Sequence, residues 1–253
     1  MSRASLAGLA AGAHTASFQP GDPGWRGGGG THYSAAQIGL WVFMAVVCSL
    51  FLLFSVAYLM RIGYGDWRPA PTVPWQLWLS TALLAMGSVG WHMAARATSQ
   101  QAGAAVNASS GGAAGATLRA NAAAAGTPGS AATLRWCALA WVSALAFLAS
   151  QLAGWQVLTA QQYLPAASPG AGFFYMLTAL HGLHVLGGML AALLVTAGLW
   201  RRGGDARSRA GLALCAQYWH LLLAVWLALF GLLFMVTPAL VQAVCATVGI
   251  GAR

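Results

Sequence analysis

Apolar residues gather into five long runs separated by polar or small-residue stretches: approximately 36–61, 75–96, 134–158, 172–200 and 211–236. Each is long enough to cross a bilayer, which takes about 20 apolar residues at 1.5 Å of rise per residue. Each is also expected to be helical, because backbone amides in lipid find no water and must bond within their own segment. Tryptophans lie near the ends of several runs (Trp75, Trp78, Trp136, Trp155, Trp200), where amphipathic rings favour the membrane boundary. The pattern predicts an all-α integral membrane protein built as a five-transmembrane-helix bundle over residues 35–236.

The intervening stretches read differently. Residues 1–34, with four consecutive glycines at 27–30, are too weakly hydrophobic to make a good signal peptide and are expected to be a flexible cytoplasmic arm. Residues 97–133 are small and polar, too poor in apolar surface to offset their ordering entropy, and are expected to be a linker. Residues 237–253 are read as a tail, and no internal repeat is visible. Asn107-Ala108-Ser109 fits a glycosylation acceptor but falls in a loop assigned to the cytoplasm, so the match is read as coincidence.

Composition agrees with a membrane setting: 59% of residues are hydrophobic and only 6% charged, too little polar surface for a water-soluble chain of 253 residues. The 12 basic residues are all arginine and fall outside the apolar runs, against three acids, Asp22, Asp66 and Asp205. The net charge of +9 therefore reports topology, and nucleic acid is excluded as a partner. Arg3, Arg26, Arg96, Arg119, Arg135, Arg201, Arg202, Arg207 and Arg209 belong to one side, and only Arg61, Arg68 and Arg253 to the other. That asymmetry predicts a cytoplasmic N-terminus and an external C-terminus in a bacterial inner membrane. Cys48, Cys137, Cys215 and Cys245 are too scattered to chelate zinc or a dinuclear copper and are read as packing residues. The glycine run lacks the lysine and hydroxyl residue that a phosphate-binding loop needs.

The chemistry lies in histidines within the apolar runs. His181 and His184, at i and i+3, share a face of the fourth span with Thr178, Val185 and Gly188. His220, with Gln217 one turn before it, forms a stripe on the fifth that is expected to point into the bundle, and His92 lies near the end of the second. Three uses remain open. His184 and His220 could ligate haem or metal across facing helices. The imidazoles could relay protons, although no span contains Asp or Glu. They could also hydrogen-bond across helices to Gln151, Gln217, Thr178 or carbonyls.

Residues Phe173 to Met189, FFYMLTALHGLHVLGGM, closely resemble a helix of subunit III of haem-copper respiratory oxidases that reads F-Y-x-L-T-G-x-H-G-x-H-V-x-x-G. Three further strings are similar to helices of that family in the same order: GLWVFMAVVCSLFLLFSVAYLMR, ending in Tyr58 and Arg61; FLASQLAGW, with Gln151 and Trp155; and QYWHLLLAVWLALF, from Gln217 to Phe230. The resemblance covers residues 36–236 and implies the five-helix form of subunit III. Where the family carries intramembrane acids this chain has Val46-Val47, Gly154 and Leu223, so roles assigned to those acids do not transfer. What the resemblance implies is a non-catalytic subunit that stabilises its partner. No haem or copper is expected in this chain; both are expected in partner subunits, and the partners implied are the haem-copper catalytic subunit I and subunit II. It also implies bundle-packing or phospholipid-contact roles for Tyr58, Arg61, Gln151, Trp155, His181, His184, Gln217, Tyr218, Trp219 and His220. Close helix approach is expected at Gly182, Gly187 and Gly188. Alternatives are an accessory subunit of a nitric oxide reductase and, from another class, a histidine-ligated membrane haem protein.

Overall fold

The computed structural model describes residues 34–62, 64, 75–110, 128–202, 205–236, 240–241 and 247. The predicted arm, the middle of the predicted linker (111–127) and most of the C-terminal tail lie outside the described residues. The chain divides into Met1–Ser34 and Ala35–Arg253, and the helices below belong to the second unit. They are α1 (Ala35–Arg61), α2 (Trp75–Ser110), α3 (Pro128–Ala160), α4 (Pro169–Arg202) and α5 (Ala206–Met235).

Four of these five are long and apolar enough to cross a membrane: α1, α3 from Ala131, α4 as far as Arg201, and α5. The exception is α2, whose apolar first half carries Ser80, Thr81, Ser88 and His92 and whose second half is Ala-, Gln- and Ser-rich. That second half changes the expected boundaries. α2 continues through 97–110 and α3 begins at Pro128, so the stretch read as a linker from 97 to 133 is helical at both ends. Alanine is the best helix former, and the extension is supported by a partner: Gln101 Nε2 donates to Thr133 Oγ1 at 3.4 Å, with Thr98 and Thr133 both buried.

The α2/α3 seam is the tightest in the fold. A Cβ on Gly90 would meet Ala140 Cβ at 3.0 Å, Ala140 N at 3.2 Å and Trp136 O at 3.2 Å; one on Gly87 would lie 2.8 Å from Ser143 Oγ. Ala94 and Ala144 continue this buried, small-residue contact. In lipid, where no hydrophobic effect drives helices together, such close approach is what gains dispersion energy. The opposite edge of α2 lies along α5 in antiparallel sense, pairing Trp78 with Phe230, Thr81 with Trp226 and Ser88 with His220.

α3 and α4 form a hairpin through a well-bonded turn. Gln162 adopts φ 60°, the left-handed conformation usually filled by glycine after a helix. Its N–H donates to Thr159 O, and the N–H of Tyr163 to Leu158 O, satisfying the last carbonyls of α3. Ser168 then caps α4, accepting from Ala171 N at 3.2 Å, with Pro169 at the first helical position. Asp205 caps α5 through Ser208 N at 2.8 Å. Helices α2 to α5 thus close a four-helix bundle. α1 lies outside it against α4 and α5, with Val47, Phe51 and Tyr58 buried.

Candidate functional site

The bundle interior is held by side chains that satisfy one another across helices. Trp226 Nε1 on α5 donates to Thr81 Oγ1 at 2.9 Å, and Thr81 donates to Leu77 O at 2.9 Å. From the other side, Gln151 Nε2 on α3 donates to Ser80 Oγ at 2.8 Å, and Ser80 also donates to Leu77 O, at 2.8 Å. One carbonyl of α2 therefore anchors two bond chains, one from α3 and one from α5, and no carboxylate takes part. A third bond joins α3 to α4, where Trp155 Nε1 donates to Thr178 Oγ1 at 3.2 Å.

His181 sits among these groups and bonds to none. It is fully buried, and neither ring nitrogen has a hydrogen-bond partner among the described residues. Its neighbours are aromatic rings from three other helices: Trp226 at 5.3 Å between centroids, Phe147 at 5.8 Å and Phe51 at 6.2 Å. The expected bonds from imidazole to Gln151 or Thr178 are not made: Gln151 Nε2 donates to Ser80 while its buried Oε1, like the imidazole, has no partner among the described residues, and Thr178 Oγ1 accepts from Trp155. His181 joins α4 to α1, α3 and α5 by ring packing instead.

His184 lies one turn further along α4. Its Nδ1 is 2.8 Å from Leu180 O, so Nδ1 carries the proton and donates, and the ring packs against Phe51 and Phe43 of α1. Its backbone carbonyl accepts from Tyr218 Oη at 3.1 Å, tying α4 to α5. The ring of Tyr218 occupies the space beside Gly188, where a Cβ would lie 2.7 Å from Tyr218 Cε1. Of the three glycines expected to permit close approach, Gly188 does so. A Cβ on Gly182 or Gly187 would meet nothing within 4 Å among the described residues.

The fifth-span stripe is turned the opposite way from its expected orientation. Gln217 and His220 are exposed, whereas Tyr218, Trp219, Leu222 and Trp226 face inward. His220 consequently does not face His184. Its Nδ1 is 2.6 Å from Ser88 Oγ and its Nε2 makes a long 3.4 Å contact with His92 Nδ1, their rings 5.4 Å apart. Ser88 forgoes the carbonyl one turn back that Ser80, Ser143 and Ser150 bond, and turns to His220 instead. The His92 and His220 rings are in direct contact, and His181 and His184 are packed against aromatic rings. Among the described residues, no three His, Cys, Asp or Glu side chains gather as a metal ion would require.

The remaining predicted residues are placed as follows. Tyr58 is buried against Phe173 of α4, and the Arg61 guanidinium stacks 4.6 Å from the Tyr64 ring. Trp219 is buried and stacked on Trp91 of α2. Cys137 and Cys215 are buried as packing residues, but Cys48 is exposed on α1, and Cys245 lies outside the described residues. Sequence reasoning missed Tyr163, in the α3–α4 turn, whose carbonyl accepts from Tyr175 Oη at 2.9 Å. Burial, with smaller contributions from Tyr58 and Tyr175, pushes the Tyr163 phenol up to about 12. A cleft of about 880 Å³ opens between α1, α4 and α5, lined by Leu40, Phe43, Leu183, His184, Leu190 and Tyr218.

Helices of this length and surface, carrying their polar groups on seams between helices, define a multi-pass helical membrane protein. Residues 128–237, from the start of α3 to just beyond α5, match the family described as cytochrome c oxidase subunit III. The chain is 28% identical over 102 residues to cytochrome bo(3) ubiquinol oxidase subunit 3 of Pseudomonas aeruginosa, covering 40% of this chain and 49% of that protein. It is 41% identical over 71 residues to cytochrome c oxidase subunit 3 of Thermostichus vulcanus, covering 26% and 34%. It is 31% identical over 104 residues to a probable cytochrome c oxidase subunit 3 of Mycobacterium bovis, covering 40% and 50%. The chain thus spans about half the length, or less, of the curated relatives it matches. The resemblance to subunit III of haem-copper oxidases, drawn above from the histidine strings, is shown by these matches.

Proposed function

We propose that this chain is a non-catalytic, subunit III-like component of a haem-copper terminal oxidase, in which a partner subunit reduces oxygen and this chain stabilises it. The observation that carries the reading is the match over α3 to α5, the segment that holds Gln151, Trp155, His181, His184, Gln217, Tyr218, Trp219 and His220. The geometry supports a structural role for most of these residues: Gln151, Trp155, Tyr218 and His220 hydrogen-bond to other helices, and His181, His184 and Trp219 pack their rings against rings of other helices. Haem and copper belong, on this reading, to the partner subunits, catalytic subunit I and subunit II, with membrane phospholipid as a further partner. All five helices cross the inner membrane: α2, though more polar, is lined on one side by α3 and on the other by α5, and its hydroxyls bond within the bundle. The arginine asymmetry puts the N-terminus in the cytoplasm and the C-terminus outside.

The test is purification of the tagged chain from its own membrane under gentle solubilisation, with an optical spectrum and identification of co-purifying subunits. A haem-copper catalytic subunit should accompany the chain, and the haem absorbance should leave when that subunit is stripped off. Stoichiometric haem retained by the isolated chain would overturn the reading, and co-purification of a nitric oxide reductase would redirect it to that complex.

A further inference from the structure

The outer surface of the bundle is not uniform. α4 turns Leu183, Leu186, Leu190, Leu193 and Leu194 outward, 51–70% exposed, a face suited to acyl chains. α5 instead exposes Ala213, Gln217, His220, Ala224 and Ala228, which fall on one helix face at intervals of four, three, four and four residues, with a single leucine, Leu227 (50% exposed), beside the last of them.

Depth makes this face costly to leave to lipid. His220 is near the middle of the 30-residue α5, about 21 Å from its first residue at 1.5 Å per residue. Gln217, one turn away, has no hydrogen-bond partner among the described residues. An amide left unpaired in hydrocarbon costs several kcal/mol. Next to it, Ser88, His220 and His92 form a chain from α2 to α5 and back, whose last imidazole is only half-buried. The alanines on the same face are too small to shield these groups, but they allow another helix backbone to approach closely.

We propose that this face of α5, centred on Gln217 and His220 with His92 at its edge, docks a transmembrane helix of a partner protein. That helix presents a side chain able both to donate and to accept hydrogen bonds, as the Gln217 amide requires. The inference rests on the reading of the chain as one component of a membrane complex, and it names the face by which the complex is joined.

The test uses the full tagged chain in its native membrane, with a photo-crosslinking phenylalanine derivative in place of Ala213 or Ala224, or of Leu53 or Leu194 as controls. The α5 positions should give one adduct with a co-purifying integral membrane subunit, identified by mass spectrometry, and the controls should give none. Gln217→Leu should lower the recovered partner about fivefold, the equivalent of about 1 kcal/mol, while leaving the thermal midpoint of the chain unchanged. If the catalytic subunit co-purifies but its adducts arise from Leu53 or Leu194, the proposed face is wrong and the accessory-subunit reading stands. If Ala213 and Ala224 give only a dimer of this chain, or Gln217→Leu leaves recovery unchanged, the proposal fails. If no oxidase subunit co-purifies with the unsubstituted chain, the underlying reading fails first.

Discussion

Substituting Gly90 tests the packing that organises the bundle. At the α2/α3 crossing an added Cβ would meet Ala140 Cβ at 3.0 Å, Ala140 N at 3.2 Å and Trp136 O at 3.2 Å. Two of those three atoms are backbone, so no change of rotamer relieves the contact and the helices must part. Overpacking of this kind costs about 1–3 kcal/mol, offset by a helix-propensity gain of up to about 1 kcal/mol for Gly→Ala. Gly90→Ala should therefore lose up to about 2 kcal/mol, and Gly90→Val, whose extra methyls enter the same space without that propensity gain, about 3 kcal/mol. Gly182→Ala is the internal control: nothing lies within 4 Å of its added Cβ, so it should be neutral or gain up to about 1 kcal/mol. Gly90→Val and Gly182→Ala should differ by roughly 3–4 kcal/mol, which corresponds to about 6–16 °C at about 2–4 °C per kcal/mol. The assay is thermal exposure of a buried thiol in detergent. In a Cys48→Ala, Cys215→Ala, Cys245→Ala background, the remaining thiol, Cys137 on α3, is 3% exposed and lies beside this crossing. It should become reactive as α2 and α3 separate. A Gly90→Val variant that melts with Gly182→Ala would show that α2 and α3 do not cross there.

Other substitutions probe the polar interior. Trp226→Phe removes the bond to Thr81 Oγ1 while keeping most of the ring packing, and should lose about 1 kcal/mol; Thr81→Val should lose a similar amount, and the double variant less than their sum in a thermal double-mutant cycle. His181→Phe removes two buried nitrogens without partners from an aromatic enclosure and should be neutral or stabilising in the same melts, whereas His181→Ala should lose about 2–5 kcal/mol; a large loss in His181→Phe would mean that a ring nitrogen has a partner. Gln162→Gly relieves a left-handed backbone position and should raise the thermal midpoint by a gain of about 1 kcal/mol, and an unchanged or lower midpoint would refute the turn geometry. Tyr163, neutral in the fold up to about 12 and ordinarily ionised above 10, adds stability below pH 10 that is lost as the pH rises to 12; Tyr163→Phe should flatten an alkaline unfolding curve across that window.

The helices themselves were legible in the sequence because length and continuous apolarity are local properties. Lipid offers the backbone no other way to satisfy its amides, so an apolar run of sufficient length is a helix wherever it ends up. The pairing of small residues was only half legible. Gly188 was found with Gly182 and Gly187, but the neighbour that makes a glycine necessary, here the Tyr218 ring, lies on another helix. Residues 97–110 were misread for a related reason. Their composition lacks apolar surface, yet alanine favours the helix and α3 supplies Thr133 as a partner.

Sequence alone therefore determined which residues share a helix and which share a face, since a fixed 100° turn per residue decides both. It also carried the family resemblance, through strings of histidine, tyrosine and tryptophan at set spacings. It did not determine which way each face turns. On α5 the stripe of Gln217 and His220 competed for the interior with Tyr218, Trp219, Leu222 and Trp226, and the large rings, which gain more dispersion contact when enclosed, took it. That rotation brought His220 to His92, 128 residues away, and left His181 enclosed by rings from α1, α3 and α5. Such contacts depend on the relative rotation of whole helices, which is settled only when all their side chains are packed together.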